Sequence, residues 1–193
     1  ISADEAFERM GADVMRWQYC AQPPDRDLLF GYGPAHEIKR KLLTFWNSVG
    51  FLVRYGNIEG FRPTLADLAA GPVGVELRPL DRWLVTRTEK LVAEVTAALE
   101  EQLTYRLIAA FESFADDLSN WYIRRSRRRF YAYDEAAFRT LWFALVTGLR
   151  VISPVMPFLA DHLWRNLVAD ACEGAPESVF LVSWPEPRQP DQH

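Results

Sequence analysis

Apolar residues recur at helical spacing through most of residues 34–171, and this recurrence restricts the chain to helices packed on helices. Pro34 suits the first turn of a helix. After it, Ile38, Leu42, Phe45 or Trp46, Val49, and Leu52 or Val53 return to one face every three or four residues. Pro79 opens a second stripe of Leu80, Trp83, Leu84, Arg87, Leu91, Val95 and Leu99. A third runs from about Thr104 to Phe130 through Leu107 or Ile108, Phe111, Phe114 or Ala115, Leu118 and Tyr122. Asp134 is placed to cap a further helix that reaches about Ile152; Ser153-Pro154 breaks it, and Val155 to Ala171 forms the last. These amphipathic helices, about four of them long, are joined by loops and predict an all-α antiparallel bundle.

The flanks are shorter elements. Ser2-Ala3-Asp4-Glu5 has the pattern of a capping box, so a helix is expected from residue 3. Gly11 interrupts it, and a second short helix over about 12–21 stops at Pro23-Pro24. Residues 57–78 carry Gly60, Pro63, Gly71, Pro72 and Gly74 and read as a loop with one helical turn at Leu65–Ala70. Ser178 to Trp184, β-branched and aromatic, reads as one short strand, and Pro185, Pro187 and Pro190 as a frayed end.

Composition and motifs exclude several functions. With 193 residues, 49 % of them apolar and 25 % charged, the chain suits one domain with a short appendage. Cys20 and Cys172 lack the spacing of a zinc site and read as free thiols of a reducing cytosol, so a cytoplasmic protein is expected. The longest charge-free run, Leu42 to Val53, is too short to span a bilayer. The acidic first residues do not resemble a signal peptide, and a start without Met is expected of a piece of a longer protein. There is no Gly-rich phosphate loop, GxSxG or HExxH. His36, His162 and His193 are isolated and read as surface groups. Asp116 and Asp117 are adjacent, so on a helix they point about 100° apart and cannot act on one atom. Nothing requires catalysis, a metal or a cofactor within the chain.

One segment concentrates charge. The formal net charge is −4, yet Arg124, Arg125, Arg127, Arg128 and Arg129 fall within six positions, and Ser119 to Tyr133 contains no acidic residue. Guanidinium forks pair with phosphate and stack on bases, and Trp121, Tyr122 and Tyr131 offer rings to unpaired bases. At about 100° per residue, Arg124, Arg127 and Arg128 share an outward side. Arg125 and Arg129 fall near the azimuth of Phe111, Phe114 and Leu118, so Arg125 at least is expected to be structural, its head paired to a carboxylate. Trp121 and Tyr122 suit a core as well as a stacking platform. Lys39-Arg40-Lys41 is a second basic patch, spread over most of a helix circumference and readable as a solvated face.

Asp116-Asp117-Leu118-Ser119-Asn120-Trp121-Tyr122-Ile123-Arg124-Arg125-Ser126-Arg127-Arg128-Arg129-Phe130 resembles a signature of the anticodon-binding domain of isoleucyl-tRNA synthetases. Weaker matches follow in family order. Gly11-Ala12-Asp13 with Arg16-Trp17 is similar to the segment after the Lys-Met-Ser-Lys-Ser loop. Trp46-Asn47-Ser48 is similar to the first bundle helix, and Asp81-Arg82-Trp83-Leu84 to the opening of the next. Ser153 to Ala160, with Trp184-Pro185, is similar to the end of the bundle. Leu181-Val182-Ser183 departs from the family, which commonly has an acidic residue before the Trp-Pro.

The resemblance implies a class I synthetase that charges tRNA with isoleucine, using ATP with magnesium in the parent enzyme, while this chain carries no active site. It implies a stem-contact segment at 1–33, an anticodon-binding bundle at 34–176 and a tail at 177–193. The partners implied are the isoleucine tRNA and the rest of the synthetase chain, with no membrane, for a chain expected to be monomeric. The tRNA-binding residues implied are Asn120, Trp121, Arg124, Arg127, Arg128 and Arg129, with Lys39, Arg40 and Lys41 next. Two alternatives stay open: the same domain of a valyl, leucyl or methionyl sibling, and a helical adaptor for an acidic protein partner.

Overall fold

In a computed structural model, which describes residues 2–186, the chain is built of helices joined by loops and forms no strand among those residues. Two short helices, α1 (Ala3–Met10) and α2 (Ala12–Cys20), precede the long α3 (Tyr32–Glu59). A six-residue helix, α4 (Leu65–Ala70), interrupts the next connection. Then come α5 (Pro79–Glu100), α6 (Thr104–Asp116), a π-helical turn (Asp117–Ile123) that continues directly into α7 (Arg124–Tyr131), and α8 (Glu135–Ile152). The last helix, α9 (Pro157–Trp164), runs into a second π turn (Arg165–Ala169).

Side-chain pairing gives the direction of each long helix. Lys41 meets Glu112 and Phe51 meets Phe130, so α3 runs parallel to α6–α7. Arg87 meets Asp117 and Asp81 meets Arg129, so α5 runs antiparallel to them. Phe138 packs on Phe130, and Gly148 lies beside Phe114, so α8 is antiparallel as well. The result is the expected up-down-up-down bundle. Its core is aromatic: Trp17, Phe45, Phe114, Tyr122, Phe130, Phe138, Trp142 and Trp164 are almost wholly buried. At Gly148 a Cβ would stand 3.2 Å from Phe114, so the missing side chain is what lets α8 approach α6 this closely.

The predicted helix starts are made by the predicted residues. The Ser2 hydroxyl accepts from the Glu5 amide, and the Asp134 carboxylate accepts from the Ala137 amide. The short helices join the same core through Ala6, Met10, Val14 and Trp17. Two charged side chains of α2 hold the break between α8 and α9. Arg16 donates to the carbonyls of Pro154 and Val155, while Asp13 accepts from the Leu159 amide at 2.6 Å and the Phe158 amide at 3.4 Å. Each charge thus meets the helix end whose dipole attracts it.

The strand expected at Ser178–Trp184 is absent. A single 3-10 turn (Val179–Leu181) stands there, with no neighbouring strand to pair it. Its start is fixed by polar capping instead: Asp161 accepts from the Ser178 hydroxyl and the Val179 amide. The prolines at 187 and 190 and His193 lie outside the described residues.

The most demanding polar contact in the bundle is a buried ion pair. Asp81 is 0 % exposed and is gripped bidentately by Arg129, both N···O distances being 2.7 Å. Asp81 also accepts from the Tyr122 hydroxyl and from the Arg78 amide at the start of α5. Arg129, 12 % exposed, uses its third donor on Asp134, the N-cap of α8. Burial works against charge on both Arg129 and Asp134. Hydrogen bonding prevails: that to Asp81 and then to Asp134 raises the guanidinium above its ordinary value, and that from Arg129 holds the Asp134 carboxyl below its own.

Removing one partner of such a pair strands the other, so Arg129→Gln should lose about 3–5 kcal/mol of stability, read from urea unfolding at pH 7. Because the folded Asp134 carboxyl titrates below its unfolded value of about 3.9, its contribution is complete above that value and is lost as pH falls through the folded one. The difference between parent and Arg129→Gln should therefore narrow when unfolding is repeated at progressively lower pH in the acid range.

Candidate nucleic-acid interface

The π turn decides which arginines face outward. A π turn contains one more residue than the α turn it replaces, so everything after it is rotated back by about 100°. With that rotation Tyr122, Ser126 and Phe130 move onto the core azimuth, and all three are buried. Arg125, expected to be structural at that azimuth, is swung out to solvent. Its guanidinium lies 3.7 Å from the ring centroid of Trp121, one turn earlier. The structural arginine is Arg129, whose three bonds to Asp81 and Asp134 remove it from the group expected at the interface. Arg87 secures the start of the π turn by pairing with Asp117 at 2.7 Å.

Arg124, Arg125, Arg127 and Arg128 are exposed, and among the described residues the run contributes only Arg129 to ion pairs. Asn120, Arg124 and Arg128 stand one turn apart along the same helix, and exposed Trp121 and Tyr131 flank them. Tyr122, weighed as a possible stacking ring, is wholly buried, and burial followed by the neighbouring Asp81 pushes its hydroxyl well above the ordinary phenol value.

α3 adds a cation that the sequence pattern did not single out. Tyr55 packs on Tyr131 with centroids 5.1 Å apart. Hydrogen bonding to Tyr131 raises the Tyr55 pKa, desolvation adds to the rise, and Arg54 and Arg127 pull it down. Arg54, exposed and next to Tyr55 in the chain, therefore stands at the Tyr131 end of the arginine run. Lys39, Arg40 and Lys41 sit elsewhere: at about 1.5 Å per residue, Lys41 is ~21 Å along α3 from Tyr55. All three are exposed but engaged within the chain, Lys39 with the Arg9 carbonyl, Arg40 with Glu37 and Lys41 with Glu112.

No competing chemistry gathers elsewhere among the described residues. His36 is exposed, and His162 is stacked on Trp46 with rings nearly parallel. Burial pushes the Cys172 thiol up to about 11 and raises that of Cys20, which leaves both as weak nucleophiles. Among the described residues no group of His, Cys, Asp or Glu is arranged to hold a metal ion, and no helix is long and apolar enough to cross a membrane.

Comparison with known proteins points the same way. An isoleucine–tRNA ligase of Streptomyces avermitilis is 43 % identical over 182 residues, covering 93 % of this chain and 17 % of the relative. That of Thermus thermophilus is 41 % identical over 191 residues, covering 94 % of this chain and 18 % of the relative. The chain thus spans less than a fifth of the length of these relatives. Among solved structures, apo methionyl-tRNA synthetase of Mycobacterium tuberculosis shares the fold with a TM-score of 0.63 at 19 % identity, over 98 % of this chain and 41 % of that one. A leucyl synthetase from Agrobacterium radiobacter, solved as a ternary complex with tRNA, does so with a TM-score of 0.61 at 17 % identity, over 97 % of this chain and 21 % of that one. The family described as the anticodon-binding domain of tRNA ligase matches residues 81–192, more than half of the sequence. By that match this chain belongs to the anticodon-binding domains of the tRNA ligases.

Proposed function

We propose that this chain is the tRNA-gripping part of an isoleucine–tRNA ligase and acts by positioning. The observation that carries this reading is the row of exposed arginines, Arg124, Arg127 and Arg128, free of carboxylate partners on a bundle of the anticodon-binding family. Such cations hold an RNA backbone through phosphate contacts, which fix register and orientation. Fixing the tRNA at one end lets a distant acceptor end meet a catalytic centre in the same enzyme without losing its orientation. Adenylate chemistry with ATP and magnesium would belong to the remainder of the parent chain, in the cytoplasm. Isoleucine as the amino acid rests on the names and 41–43 % identities of the relatives. Residues 1–33 would serve as the stem-contact segment and 34–176 as the anticodon-binding bundle, in a monomeric chain.

Within this reading Asn120, Trp121, Arg124, Arg127 and Arg128 remain at the interface with Arg54 added, while Arg129 supports it from inside. The Lys39–Lys41 patch is the next place to look, its cations being occupied internally.

Arg124→Gln, Arg127→Gln and Arg128→Gln should each weaken binding of isoleucine tRNA with little change in melting temperature. Each lost phosphate contact should flatten the log–log dependence of affinity on salt by roughly 0.7, the single-strand value. Titrating tRNA at two salt concentrations against the three variants reads both effects. Three variants that bind like the parent would refute the arginine row as the grip. An acidic polypeptide that binds the parent as tightly as tRNA does would favour the adaptor reading.

A further inference from the structure

Beside the arginine row lies a cleft of about 630 Å³ that phosphate contacts do not explain. Its walls are Pro79, Leu80 and Trp83 from the start of α5, and Asp116, Asp117, Asn120 and Trp121 from the end of α6 and the π turn. Trp121 is 44 % exposed. Trp83 approaches it with centroids 6.5 Å apart and planes tilted by 59°, so the two indoles do not stack on each other. Arg125 lies over the Trp121 ring and adds positive charge to the rim.

The polar groups of the cleft have a defined sense. Asp117 is paired with Arg87. Asp116 Oδ1 accepts from Asn120 Nδ2, which fixes the orientation of that amide, because a carboxylate cannot donate. Asp116 Oδ2 and Asn120 Oδ1 are left as acceptors. The negative charge disfavours a phosphate inside the cleft, whereas the neighbouring arginines attract one just outside it.

We propose that this cleft takes one unstacked nucleobase bearing an exocyclic amino group, adenine or cytosine in preference to uracil, while the arginine row holds the flanking phosphates. The inference rests on the RNA-binding reading and deepens it. Trp121 keeps 44 % of its surface exposed although Arg125 lies over its ring, and the exposed part gains by stacking on any base. The acceptor pair then discriminates: an amino N–H finds a partner there, whereas the uracil carbonyl in the same place meets two acceptors and leaves them unpaired. Asn120 is a positioning residue as well as a contact, since it holds Asp116 in place.

The test uses the 193-residue chain with single-stranded rC, rA and rU oligonucleotides of equal length, followed by tryptophan fluorescence at two salt concentrations. The parent should bind rC and rA several-fold more tightly than rU. Trp121→Ala should weaken rC and rA binding by about 5- to 150-fold, with the salt slope unchanged. Trp121→Phe should restore most of the loss, which a purely structural role of the indole would not require. Asp116→Asn should erase the preference for rC over rU, because an amide also offers donors. Equal affinity of the parent for rC and rU, or undiminished binding by Trp121→Ala, overturns the cleft while leaving the arginine row intact if Arg124→Gln still weakens RNA. If the parent binds no RNA at all, the cleft and the RNA-binding reading fail together.

Discussion

The buried pair between Asp81 and Arg129 ties together four segments of the bundle. Asp81 lies in the first turn of α5, Tyr122 in the π turn, Arg129 near the end of α7, and Asp134 at the cap of α8. A charge as deeply buried as that of Asp81 is tolerated only when its oxygens are satisfied, and here they accept from a guanidinium fork, a phenol and a backbone amide. This requirement fixes the rotation of α7 about its own axis. With Arg129 held inward, Arg124 and Arg128 must point away, and the arginine row inherits its exposure from an interaction in the interior.

The π turn supplies the same result from the chain's geometry. Phe114, Leu118, Tyr122, Ser126 and Phe130 follow one another in steps of four, and all are buried. In an uninterrupted α-helix each such step drifts by about 40°, so the stripe would wander through roughly 160° and leave the core. One wide turn takes back about 100° of that drift and keeps the stripe facing inward. The same turn brings Trp121 and Arg125 into contact on the outer face, so the packing of the core and the shape of the candidate interface arise from one irregularity.

Much of this was legible in the sequence, and the misreadings have identifiable causes. Caps at Ser2 and Asp134, the proline at the start of α5 and the apolar stripes located the helices, because each signal is local. Reading residues 104–130 as one regular helix misassigns Arg125, although the four-residue stripe already contains the clue; Arg129 falls near the core azimuth even in that reading and is expected at the interface only through the resemblance. The turn at Val179–Leu181 was mistaken for a strand because β-branched residues carry that tendency only where a partner strand exists. Trp83 reads in the sequence as part of an apolar stripe, and only the fold brings it beside Trp121, as it brings Tyr55, next to Arg54, against Tyr131. Asp13 and Arg16, unremarkable in their own helix, hold the α8–α9 break more than 130 residues away.

An acidic chain can present a cationic surface because its carboxylates are placed elsewhere, several of them neutralising arginines whose work is internal: Asp117 with Arg87, Asp67 with Arg139, and Asp81 with Arg129. The outward arginines keep their charge for a partner. The most direct measurement of this division is arginine-directed dicarbonyl labelling of the chain with and without tRNA, mapped by mass spectrometry. The account predicts that Arg124, Arg127 and Arg128 react in the free chain and are protected by tRNA, while Arg129 is unreactive in both. Arg129 labelling as fast as its neighbours, or Arg124, Arg127 and Arg128 remaining reactive with tRNA bound, would contradict it.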